Sequence, residues 1–123
     1  MFDFEKLSVY LKAKSFNLEV GRFLIQCSGD TPIKNQLRRA ALSIALNIAE
    51  GSGRKTNADK RNFFVISRGS VFECVAILDI LKDEGKLQTE HFKSFYSKAE
   101  ELSKMLYAMI NSLEKYRNSS KSS

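Results

Sequence analysis

The sequence predicts an all-α protein, folded as one antiparallel up-down-up-down four-helix bundle. Apolar residues recur at three-and-four spacing through nearly the whole chain, which is the helical period. The single Pro and most of the Gly fall between those runs, and no alternating or βαβ pattern competes with them. At 123 residues, 43% hydrophobic and 28% charged, the chain has the size of one domain that buries a core without metals or disulfides.

Asp3 is placed to cap a first helix running to about Cys27. Two apolar stripes share that helix: Phe4, Leu7, Leu11, Leu18 and Ile25 form one, and Val9, Phe16, Val20, Phe23 and Cys27 form the other. Two stripes imply contact on the bundle side and on another side. Ser28-Gly29-Asp30 breaks the pattern, Thr31 caps, and Pro32 suits the first turn because its missing N–H has no partner to lose there.

Helix two runs to about Glu50. Gly51 and Gly53 are expected in the left-handed conformation that ends it, leaving Gly51 to Asn57 as a basic loop. Thr56 or Asn57 caps helix three, whose apolar positions are Phe63, Phe64, Ile66, Val71, Val75, Ile77, Leu78 and Leu81. It stops near Gly85 after ~40 Å, at 1.5 Å per residue. Thr89 starts helix four, where Phe92, Phe95, Ala99, Leu102, Leu106, Met109, Leu113 and Tyr116 form an unbroken bundle seam. Short loops between long helices make neighbours antiparallel. The bundle is expected over residues 1–117, with 118–123 a disordered polar tail.

Cys27 and Cys74 sit in apolar helical patterns, far apart and without metal-knuckle spacing, so they read as buried thiols. No charged segment followed by an apolar run opens the chain, and no apolar stretch reaches a membrane-spanning ~20 residues. A cytoplasmic protein without membrane association is expected.

The charge is unevenly spread. Lys34, Arg38, Arg39, Arg54, Lys55, Lys60 and Arg61 are opposed in their segment only by Glu50 and Asp59, so most of the net +6 lies there. The same segment contains AALSIALNIA (Ala40 to Ala49), which is apolar on almost every side of a helix. A helix that greasy with cations at both ends points to several copies presenting one basic surface to a polyanion.

Enzyme chemistries find little support. A di-iron bundle needs paired Glu-x-x-His motifs, and the chain has one histidine, His91, on a polar face of helix four. Neither cysteine has a histidine nearby in sequence, and Ser52-Gly53-Arg54-Lys55-Thr56 lacks P-loop spacing. No cofactor, metal site or catalytic residue is expected.

The polar seam Ser43, Asn47, Glu50 and Arg54 on helix two, with Gly69, Ser70 and Glu73 on helix three, reads instead as a network fixing register or subunit contacts. Gly69 offers a point where another backbone could approach. Any buried carboxylate there needs a cation, with Arg39, Arg54 and Arg68 the candidates. An acid/base pair of Glu50 and Glu73 would require a pocket between them.

At QLRRAALSIALNIAEGSGR (Gln36 to Arg54) and FFVISRGSVFE (Phe63 to Glu73) the chain resembles a family of small bacterial four-helix bundles encoded in intervening sequences of large-subunit ribosomal RNA genes. The helix pattern extends the resemblance over residues 4 to 116. It implies a homopentameric ring, and kinship with a retroelement accessory protein whose basic surface engages nucleic acid and a reverse transcriptase. Arg38, Arg39, Asn47, Glu50, Gly51, Arg54, Gly69, Ser70 and Glu73 match motif positions, and the resemblance implies fold and assembly roles for them. Ala45 stands where the family commonly has Pro, and Tyr10-Leu11 near a family Trp-Gln pair.

The function expected is therefore non-enzymatic binding of nucleic acid, RNA before DNA, through phosphate contacts from an oligomer. Five copies would carry about +30. The alternative is a scaffold that docks an acidic protein partner such as a reverse transcriptase.

Overall fold

The computed structural model describes residues 1–122, with side chains through Glu114. A 3-10 turn (η1, Asp3–Lys6) precedes four helices: α1 (Ser8–Gln26), α2 (Thr31–Ser52), α3 (Asn57–Asp83) and α4 (Thr89–Ser122). Each helix packs on its two neighbours around the bundle, and the α1–α4 seam is the least closed. The architecture is the predicted up-down four-helix bundle. The polar tail expected at 118–123, like Tyr116 of the seam, lies outside the described side chains.

The core follows from the periodicity. Val9, Ala13, Phe16, Val20 and Leu24 of α1 face Phe95, Ala99, Leu102 and Leu106 of α4, with Phe16 and Phe95 in edge-to-face contact at 5.9 Å. From the middle of the bundle, α2 contributes Leu37, Ala41, Ile44 and Ile48, and α3 contributes Val71, Cys74, Leu78 and Leu81. At about 25 cal/mol per Å² of apolar surface removed from water, this layer is the main source of stability. Both cysteines are free and buried. Burial, and after it the neighbouring Glu73 carboxylate, pushes the Cys74 thiol up to about 12.

Of the two stripes on α1, the second is the core stripe. Of the first, Leu11, Leu18 and Ile25 point outward and are exposed, while Leu7 packs against the core. The first helix also begins later than expected. Leu7 is extended (φ −74°, ψ 125°), which separates η1 from α1, and no side chain caps the start. Packing accounts for the break, because Leu7 turns onto the core while Phe4 folds back to an edge contact with Tyr10 at 4.9 Å.

Helix ends differ from expectation in instructive ways. Asp30 rather than Thr31 is the N-cap of α2, and neither supplies a side-chain cap bond. Thr56 does cap α3, its Oγ1 accepting from the Asp59 N–H at 3.1 Å. Gly53 is right-handed (φ −88°), and Gly51 lies inside the helix. A Cβ on Gly51 would sit 2.9 Å from Phe63 Cβ and from Phe64 Cε1, so glycine is there for the α2–α3 approach and not for a turn. The left-handed residue is Gly85 (φ 74°), just after α3.

Candidate nucleic-acid interface

The seven basic residues of the predicted interface do not form one patch within a single chain. Lys34 lies in the first turn of α2, where its Nζ donates to the Cys27 carbonyl at 3.0 Å and closes the α1–α2 turn. Arg54 follows the other end of α2, about 30 Å away at 1.5 Å per residue. Arg38 reaches across to α1, donating to Asn17 Oδ1 at 2.6 Å, and its guanidinium lies 3.7 Å from where a Cβ on Gly21 would be. Arg39 is exposed and makes no hydrogen bond or ion pair among the described residues.

Four of the seven meet at the α2–α3 turn. Arg54 pairs with Glu50 at 2.9 Å and lies over the Phe63 ring at 4.5 Å. Lys60 Nζ donates to the Ser52 carbonyl at 3.0 Å, tying the start of α3 to the end of α2. Arg61 grips Glu114 of α4 through Nε at 2.7 Å and Nη2 at 2.6 Å. Lys55 at the tip is exposed and without a partner among the described residues. Arg54 and Arg61 are thus partly neutralised, while Lys55 and Lys60 keep their full charge.

Three residues of the polar seam are bonded to one another. Asn47 Nδ2 donates to the Ser43 carbonyl and hydroxyl at 2.8 and 2.9 Å, and Ser70 Oγ donates to Ser43 Oγ at 2.9 Å, which joins α2 to α3. Glu50 and Glu73 stand apart from this network and are exposed. Glu50 takes Arg54, as expected, whereas Glu73 accepts from Gln36 Nε2 at 3.1 Å rather than from an arginine. Gln36 and Glu50 are about 21 Å apart along α2, so the two carboxylates do not converge.

Arg68 turns to α4 and lies over the rings of Phe72 (4.9 Å) and Tyr107 (5.2 Å). Gly69 is exposed, with nothing within 4 Å of its missing side chain.

Sequence reasoning passed over Ser67, which is fully buried and donates to the Ile44 carbonyl at 2.8 Å. Its signal is visible in hindsight, since it falls on the core stripe between Phe64 and Val71. Among the described residues, no group of histidine, cysteine and carboxylate side chains is arranged to hold a metal ion, and no helix is long and apolar enough to cross a membrane.

Fold and site together define a small antiparallel four-helix bundle with a basic inter-helix turn. The model of the 23S rRNA-intervening sequence protein family matches residues 5–108, and the chain belongs to that family. Its fold is shared by a crystal structure from Bacteroides thetaiotaomicron, described as a protein of unknown function from the S23 ribosomal protein family. That likeness has a TM-score of 0.78 at 24% identity and covers 83% of this chain and 97% of the other. No curated protein matches significantly.

Proposed function

We propose that the chain acts as a non-enzymatic, oligomeric nucleic-acid-binding protein, RNA before DNA, that meets phosphates through basic side chains. The observation that carries this reading is the α2–α3 turn, where Arg54, Lys55, Lys60 and Arg61 gather at one end of a chain of net +6. Association supplies the rest, because copies side by side multiply a field that one chain spreads over both ends.

A surface suited to association is present. Ile66, Gly69, Glu73, Ala76 and Ile80 step along the outside of α3 by three and four, and Leu42 and Leu46 are exposed on α2. An exposed seam of that period is the pattern helices use to pack. Five copies is the number the family resemblance implies.

Titration of the chain with a short RNA at low and at moderate salt tests the reading. Affinity should fall steeply with salt, by a slope of ~0.7 per neutralised phosphate on single strands. Absence of binding at low salt rejects it. A pull-down that retains an acidic protein after nuclease treatment, alongside failed RNA binding, would favour the scaffold reading instead.

A further inference from the structure

We propose that the groove between α1 and the first turns of α4 is a nucleotide site, accepting a base with an attached phosphate. The α1–α4 seam is laced by two ion pairs, Lys12 with Glu101 at 2.7 Å and Lys98 with Glu19 at 2.5 Å. Between the second of these and the α3–α4 turn the helices leave an open groove of about 600 Å³. That volume lies within the range of small-molecule sites.

The walls of the groove select the ligand. Arg22 and Lys86 bring two positive charges. Arg22 forms no ion pair among the described residues, and Lys86 meets only Glu84, at 3.6 Å, on the adjoining turn. The carboxylate on the lining, Glu19, is already engaged through both oxygens by Lys98, at 2.5 and 2.7 Å. An anion entering the groove therefore meets cations with little competing negative charge. Gln88, just before α4, adds an amide to the same wall.

The second half of the ligand follows from His91. Its ring rests parallel on Phe95 (4.6 Å, 21°) and perpendicular to Phe23 (5.6 Å, 87°), yet the residue is exposed and lines the groove. A planar ring on the same lining as Arg22 and Lys86 is a stacking surface next to a phosphate site. A bare anion would leave the aromatic surface unused, and an apolar ligand would bury the Arg22 guanidinium without a partner among the described residues. A base with its phosphate satisfies both.

The ligand can be a free mononucleotide or the terminal nucleotide of a strand, and the test separates them. Amide NMR of the full chain is followed during titration with AMP, adenosine, inorganic phosphate, and a short RNA with and without a 5′-phosphate. AMP should shift Arg22, Phe23, Gln88 and His91, binding about tenfold tighter than adenosine or phosphate alone. Arg22→Ala and His91→Ala should each weaken AMP about five- to tenfold with little change in Tm. Tighter binding of the 5′-phosphorylated RNA than of AMP, with the same amides shifting, assigns the site to a strand end, and the reverse order assigns it to the free nucleotide.

The proposal is overturned by no shift at millimolar AMP, by phosphate binding as well as AMP, or by an unchanged affinity in Arg22→Ala. RNA capture at the α2–α3 turn is read at the opposite end of the bundle, so either result can fail without the other.

Discussion

Ser67 donates its hydroxyl proton to the carbonyl oxygen of Ile44 across 2.8 Å, at a point where neither side chain reaches solvent. The bond pins α3 to α2 at the centre of the bundle. With the Ser70–Ser43 bond it ties the two helices together, and a buried hydroxyl left without its partner is costly. Ser67→Ala should cost about 1 kcal/mol in urea denaturation, the usual worth of such a bond. Ser67→Val should cost more, since it adds volume to a close-packed layer.

Gly51 and Gly69 should respond to alanine in opposite directions. Gly51→Ala forces a methyl group to within 2.9 Å of Phe63 and Phe64 carbons, and overpacking of that kind costs about 1–3 kcal/mol despite the better helix propensity. Gly69→Ala meets nothing within 4 Å and should stabilise the isolated chain by up to ~1 kcal/mol. If copies associate through the α3 seam, the same Gly69→Ala change should lower the association constant. Sedimentation velocity beside thermal melts checks both effects, and unchanged assembly would exclude Gly69 from the contact.

Charge partners should grade the basic turn. Arg61 is partly neutralised by Glu114, and Lys55 is free among the described residues. Lys55→Ala should therefore weaken RNA binding more than Arg61→Ala, as measured by fluorescence anisotropy at one fixed salt concentration. Arg54→Glu with Lys55→Glu should weaken it furthest while leaving the circular dichroism of the fold intact. Equal affinity in that double variant would remove the turn from the interface.

Stability should decline in alkali through Cys74. Its thiol is raised in the folded chain from 9.0 to about 12, so the contribution is complete below pH 9 and is lost as pH rises towards 12. Over that window the unfolded chain releases the proton that the native one keeps. Urea midpoints at pH 8 and pH 11 should differ less in Cys74→Ala than in the parent protein. An identical pH dependence in the two would show that other groups govern it.

The bundle was legible in the sequence because burial imposes a period that residue type alone reveals. The α4 seam from Phe92 to Leu113 lies on the inner side along its whole length, with Ile110 as an added member. Caps were legible where one side chain settles them, as at Thr56. Gly51 was misread, since a glycine at a helix end and one beneath a neighbouring aromatic look the same in one dimension. The carboxylates were misplaced for a related reason: Glu50 and Glu73 follow apolar stretches, but their helices rotate them out to water.

The order of residues alone determined four helices, their antiparallel succession and the excess of positive charge in one segment, because local periodicity and short connections leave no other economical packing. Tertiary structure decided which stripe of α1 faces the core, which cations are neutralised, and that Arg22, Lys86 and His91 share a groove. Those outcomes depend on how each helix is rotated against its neighbours, and that rotation is set by the summed fit of side chains such as Phe16, Phe95 and Ser67 across the whole interior.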